Sequence, residues 1–143
     1  MGLKRNIDLN KLNNLSINNI AVSNKSGQTK FYPFEGHNGC HSIFYRGQNK
    51  KNALTVKTTT LKEIFSKNKI NKCNFLKLDC EGAEYKILMG SDKNTLDKID
   101  KIAGELHEYL QKEYTTHQLL QHLRDNNFDC VDYKGMLYAR KHT

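Results

Sequence analysis

The sequence predicts an α/β sandwich with a largely parallel sheet that closes in an antiparallel hairpin. Short β-type runs alternate with stretches of helical spacing from residue 54 onward, the order that crossover-connected parallel strands produce. Cys73 to Asp79 (CNFLKLD) passes without a linker through Cys80-Glu81-Gly82 into a helical segment. Two further β-type runs flank Lys134-Gly135, a dipeptide suited to a tight hairpin turn.

Taken in order, Ile7, Leu9, Leu12 and Leu15 fall near helical spacing, with Asn13-Asn14 as a stop, so the chain opens on what reads as the end of a helix. Ile17 to Ser23 and Gln28 to Phe34 read as strands of a hairpin joined by Asn24-Lys25-Ser26-Gly27. Glu35 to Asn52 is polar and glycine-bearing, a long loop anchored by Ile43-Phe44-Tyr45. Leu54 to Thr59 alternates as a strand, and Thr60 with Glu63 forms a capping box that starts a helix running to about Ser66. After the strand 73–79, a helix from Ala83 to Met89 closes on Gly90, and a further helical piece spans about Lys93 to Ile99. Lys101 to His107 (KIAGELH) is the next strand. Thr115 with Gln118 launches a helix whose Leu119, Leu120 and Leu123 share a face, and Asp129 to Tyr133 with Met136 to Arg140 form the closing hairpin.

At 143 residues the chain suits one domain, 1–143. The hydrophobic share is 37%, and no run approaches the roughly 18 to 20 apolar residues of a membrane span. The first residues, MGLKRNIDLN, lack an apolar secretory core. Cytoplasmic localisation is therefore expected, with all four cysteines reduced. The net charge of +8 is uneven: residues 1–72 carry 13 basic against 3 acidic side chains, and residues 73–143 carry 10 against 12. A basic half is one footprint of a nucleic-acid partner. However, 19 of the 23 basic residues are lysine, whereas bidentate phosphate and base recognition prefers arginine, so nucleic acid is not the expected partner.

In open α/β sheets ligands bind beyond the carboxyl ends of the strands, which singles out Asp79, Glu81 and Glu84, three carboxylates within six residues. Asp79 ends a strand and has no helical reason to be acidic. Glu84 equally suits the first turn of a helix as a partner for its dipole. Glu105 and His107, at the tip of the next strand, look toward the same crevice, where His107 is either a base or an ordinary polar residue at a strand end. No metal site is expected. His37 and Cys40-His41 lack a second spaced ligand pair, and Asp79 with Glu81 alone does not demand magnesium. Cys73, Cys80 and Cys130 read as small buried hydrophobes.

The segment NFLKLDCEGAEYKILMG resembles the signature of the FkbM family of S-adenosylmethionine-dependent methyltransferases, close to FLKIDVEGAEYEVLKG. NNIAVSNKSGQTKFY, VKTTTLKEIF and IAGELH resemble its flanking segments, in order, from about Arg5 to the end. The resemblance implies a class I methyltransferase-like (Rossmann-like) doubly wound, mostly parallel sheet. It also implies S-adenosylmethionine as cofactor and methyl transfer to an oxygen, with Asp79 near cofactor and acceptor, Glu81 as base or orienting group, and Asn19 and Ala21 near the adenine. The acceptor would be a small-molecule, glycan or lipid hydroxyl. The family's DxGANxG loop and the acid-ending strand after it have no counterpart here, and no GxG occurs. The expectation is thus a partial, N-terminally truncated domain, with an unpaired strand edge beside residues 73–79 that calls for a homo-oligomer or a complementing chain. Such a chain alone would bind the cofactor poorly and be inactive. A non-catalytic methyltransferase-like interaction module is the alternative reading, and a basic nucleic-acid-binding domain a weaker one.

Overall fold

The computed structural model describes residues 2–34, 41–45, 47 and 50–142. It is a mixed α/β chain with two small sheets, each partly parallel. The first helix, α1 (Gly2–Leu9), ends before the expected stop, as Lys11 takes a left-handed φ of 51°. The first sheet contains β1 (Ala21–Val22), β2 (Gly27–Phe31) and β3 (Leu54–Thr59) in the order β1-β3-β2.

That order corrects the expected hairpin of residues 17–34. β1 runs parallel to β3 (Ala21 opposite Thr58), and β2 pairs antiparallel on the other side of β3 (Gly27 opposite Thr58, Phe31 opposite Leu54). The segment after β1 crosses the end of β3, with Ser23 N donating to Thr59 O at 2.8 Å. β3 thus holds apart the two strands that the turn signal joins.

The helix α2 (Leu61–Lys67) starts at the expected N-cap, with Thr60 Oγ1 accepting from Glu63 N at 3.1 Å. The reciprocal half of the capping box is diverted: the Glu63 carboxylate instead accepts from Thr59 Oγ1 at 2.9 Å. Leu61 and Phe65 bury one face of α2 in the core.

The second sheet is formed by β4 (Leu76–Leu78), β5 (Lys101–Glu105), β6 (Phe128–Tyr133) and β7 (Met136–Lys141), in the order β4-β5-β7-β6. β4 and β5 are parallel, while β5/β7 and β6/β7 are antiparallel. Among the described residues the strands therefore form two parallel and three antiparallel pairs in two sheets, where a single, largely parallel sheet was expected. The helices are α3 (Ala83–Met89), α4 (Lys93–Leu96) and α5 (Thr116–Asp125). α4 stops short of Ile99 because the backbone beyond it is claimed by pairing: Cys73 N donates to Lys98 O, and Asp100 N donates to Cys73 O. Tyr85, Ile87 and Leu88 of α3, Leu119 and Leu123 of α5, and Ile102, Phe128 and Leu137 of the sheet form the centre of the core. Burial of each such side chain stabilises the fold by about 1.5–3 kcal/mol. Among the described residues no helix is long and apolar enough to cross a membrane.

Candidate functional site

Because β4 and β5 are parallel, with Leu78 opposite Gly104, their C-terminal ends open on the same edge of the sheet. Asp79 follows β4 directly, and Glu105 is the last residue of β5. Gly104 permits their close approach: a Cβ there would stand 3.2 Å from Leu78 O and 3.3 Å from Leu78 Cβ. The β5 chain then leaves the sheet, as Leu106 N donates to Gly135 O at 2.7 Å, and His107 caps a short 3-10 turn at Glu108–Leu110. The expected strand to His107 thus ends two residues earlier. This break turns His107 inward, leaving only 6% of its side chain exposed.

On the β4 side the chain reverses through two left-handed residues, Glu81 (φ 51°) and Gly82 (φ 100°). Only glycine suits the second position, because a Cβ there would lie 3.0 Å from the Phe44 ring and 3.1 Å from Leu110 Cβ. Glu84, fully buried in the first turn of α3, reaches back over this reversal. One carboxylate oxygen accepts from Cys80 N at 2.5 Å and the other from Gly82 N at 2.8 Å. The dipole reading of Glu84 is therefore incomplete: it is the clamp that shapes the loop carrying Asp79 and Glu81. Ser42 adds a second fixing point, its buried hydroxyl donating to Glu81 O at 2.6 Å. Sequence reasoning missed Ser42; the signal available was its place beside the Ile43-Phe44-Tyr45 anchor.

These elements bring Asp79, Glu81 and His107 together, with one ligating atom from each lying within 4.8 Å of the others. His107 Nε2 stands 3.7 Å from Glu81 Oε2 and 3.7 Å from Glu105 Oε1, and Nδ1 is 3.4 Å from Glu84 Oε1. Buried Nδ1 makes no hydrogen bond. Lys77 approaches the group from outside, with Nζ 3.5 Å from Asp79 Oδ2. Among the described residues this group sets four carboxylates about one imidazole, with Lys77 at its exposed side, an acidic cluster on a chain of net charge +8. Burial pushes the thiols of Cys73, Cys80 and Cys130 up from their ordinary range, so they are protonated at neutral pH and poor nucleophiles.

Asn19 and Ala21 do not join this group. Asn19 lines a groove of about 660 Å³ with Val22, Thr58, Thr59, Glu63 and Ile64, and a second groove of about 520 Å³ that also takes in Ala21. Neither groove is lined by Asp79, Glu81 or His107. Of the expected ligand pattern around residues 37–41, His37 and Cys40 lie outside the described residues, while His41 Nδ1 accepts from Phe34 N at 2.9 Å and so serves a turn.

Acids and a histidine thus gather at the strand tips of a partly parallel α/β chain, the place where open α/β sheets bind ligands. Residues 3–130 match the methyltransferase FkbM domain, and the chain belongs to that family. It is similar to the hexuronic acid methyltransferase AglP of Haloferax volcanii, with 30% identity over 88 residues, 61% of this chain and 34% of the relative. The chain thus spans about a third of the length of that curated relative. No solved structure matches it.

Proposed function

We propose that this chain serves methyl transfer from S-adenosylmethionine to a hydroxyl oxygen of a carboxylate-bearing sugar, as part of a class I, doubly wound methyltransferase architecture. The observation that carries this reading is the convergence of Asp79, Glu81, Glu105 and His107 at the shared end of β4 and β5 in a member of the FkbM family. The sugar class comes from the relative, named for a hexuronic acid.

The groove lined by Asn19, Val22, Thr58, Thr59 and Ile64 mixes amide, hydroxyl and apolar groups in a volume of about 660 Å³, which fits a nucleoside. Asn19 would hold the adenine side, with Ala21 on the adjoining groove that Asn19 also lines. When bound, S-adenosylmethionine supplies an electrophilic methyl group on sulfur. In this reading Asp79 and Glu81 hold the acceptor through hydroxyls beside the reacting one, each accepting a hydrogen bond from a different O–H. His107 Nε2, or a carboxylate beside it, takes the proton as the new O–C bond forms and the C–S bond breaks, a step helped chiefly by positioning.

The test is incubation of the chain with methyl-labelled S-adenosylmethionine and a panel of a hexuronic acid glycoside, a neutral hexoside and a long-chain alcohol. Contrary to the inactivity expected from the missing DxGANxG loop, this reading requires label on the hexuronic acid hydroxyl, reduced by about 100-fold or more in Asp79→Asn. Label on none of the three, with no calorimetric binding of the methyl donor, would overturn the reading.

A second reading is favoured by one observation: among the described residues β1 and β4 each end a sheet with one side unpaired. In that reading the chain is a methyltransferase-like module whose edges take a strand from a second copy or a complementing chain. Donor binding that emerges only on addition of a second chain supports this reading; transfer by the monomer supports the first.

A further inference from the structure

We infer that Asp79, Glu81 and His107 form a site for a divalent cation of the manganese type, bound through two carboxylate oxygens and one imidazole nitrogen. Mutual separations within 4.8 Å, with 3.7 Å between His107 Nε2 and Glu81 Oε2, approach what a common ion imposes. Ligands about 2.1 Å from one ion in octahedral array stand about 3 Å apart when adjacent and about 4.2 Å apart when opposite. A small contraction of the exposed Asp79 side chain closes the set.

The histidine supplies an observation independent of the acids. It is 94% buried by its 6% exposure, yet its Nδ1 makes no hydrogen bond and its Nε2 faces two carboxylate oxygens at 3.7 Å, too far to bond. The ring is thus aimed by its Nε2 at carboxylate oxygens it does not bond, as a ligating imidazole would be. Glu84 Oε1 stands 3.4 Å from Nδ1, while Nε2 faces Glu81 and Glu105. A carboxylate behind a ligating histidine is the common outer partner of metal sites, and a small turn of the His107 ring would bring Nδ1 into hydrogen-bond geometry with Glu84. Glu84 is itself locked by Cys80 N and Gly82 N, so the ring sits against a rigid support. The mixed nitrogen and oxygen set suits manganese better than calcium, which takes six to eight oxygens.

This site deepens the proposed reaction, and rests on that reading only for its consequence: a cation at Nε2 would bind and polarise the acceptor hydroxyl, moving the base role to a neighbouring carboxylate. Binding itself is tested with neither donor nor acceptor present. Manganese(II) chloride is titrated into the full chain, with free ion followed by its electron paramagnetic resonance signal. The expected dissociation constant lies below about 100 μM, with calcium displacing the ion at least about tenfold less well than zinc. Asp79→Asn should weaken binding at least about tenfold, and Asp125→Asn, an exposed acid on α5, should leave it unchanged. Lys77→Met should tighten binding about threefold by removing a competing cation, an effect that a merely structural role for Asp79 would not produce. His107→Gln should abolish binding; should it unfold by circular dichroism, the exposed Asp79 and Lys77 variants still decide. Absence of binding at about 1 mM ion, or affinity unchanged in Asp79→Asn, would overturn the site and leave the methyl-transfer assay to judge the reaction separately.

Discussion

Glu84 shows how one buried carboxyl group organises the candidate site. Its two oxygens receive the backbone donors of Cys80 and Gly82, and its edge faces His107 Nδ1. A carboxyl group with no exposure is tolerated because backbone hydrogen bonds replace its water. Glu84→Gln keeps the shape but can accept at only one oxygen, leaving a buried N–H against an amide NH2. The expected loss is about 1–3 kcal/mol of stability, read as a lower urea midpoint at unchanged slope. An unchanged midpoint would show that the two bonds do not hold the loop. Asp79 and its strand-tip position are legible in the sequence, because a hydrophobic run ending in an acid is a local pattern. The partners of His107 are not legible there. Its meeting with Asp79, 28 positions earlier, depends on the parallel register of β4 and β5, and its burial depends on the chain leaving β5 at Leu106.

Elements whose signals are local match the structure closely. α5 begins at Thr115 with both halves of its capping box formed: Thr115 Oγ1 accepts from Gln118 N at 3.2 Å, and Gln118 Oε1 accepts from Thr115 N at 2.9 Å. Glu108 adds a further acceptor for Thr116 N at 2.7 Å, and the hydrogen bonds from Thr116 hold the Glu108 carboxyl below its ordinary range. Thr115→Ala should cost about 1 kcal/mol, less than the helix's full capping because Glu108 remains, and thermal unfolding reads it as a lower midpoint; Thr115→Ser should restore most of it. Elements whose boundaries depend on distant pairing depart from expectation. The β1–β2 hairpin fails because a turn sequence fixes reversal but not which strand stands beside which. The alternation in residues 17–23 is also weak: Asn18 and Asn19 interrupt it, and only Ala21 and Val22 pair with β3.

At the scale of the whole molecule, the two sheets are tied across their helices as well as through the core. Lys62 on α2 holds Asp92, the N-cap of α4, at 2.8 Å, and Lys141 on β7 holds Asp97 at 2.7 Å. Asp92 Oδ1 also accepts from Thr95 N and Thr95 Oγ1. The Lys62 hydrogen bond, followed by those from Thr95, holds the Asp92 carboxyl down at about 2 against an ordinary 3.8. Asp97 is lowered as well, chiefly by Lys141 and then by Lys93. A carboxyl depressed on folding contributes stability that is complete above its unfolded value and is lost as pH falls through its folded value. For Asp92 that window runs from about pH 4 down to about pH 2. Its side chain is 42% exposed, so solvent screening holds the contribution to less than about 1 kcal/mol. Asp92→Asn keeps an N-cap acceptor while removing the charge. It should therefore unfold slightly more easily than the parent at pH 7 and converge with it by about pH 2, giving a shallower acid limb in thermal melts. Parallel acid limbs would mean that the Lys62–Asp92 link carries no stability, and that the Lys141–Asp97 pair and the shared core, which takes in Val22, Leu61, Phe65, Leu88 and Leu96, hold the two sheets together.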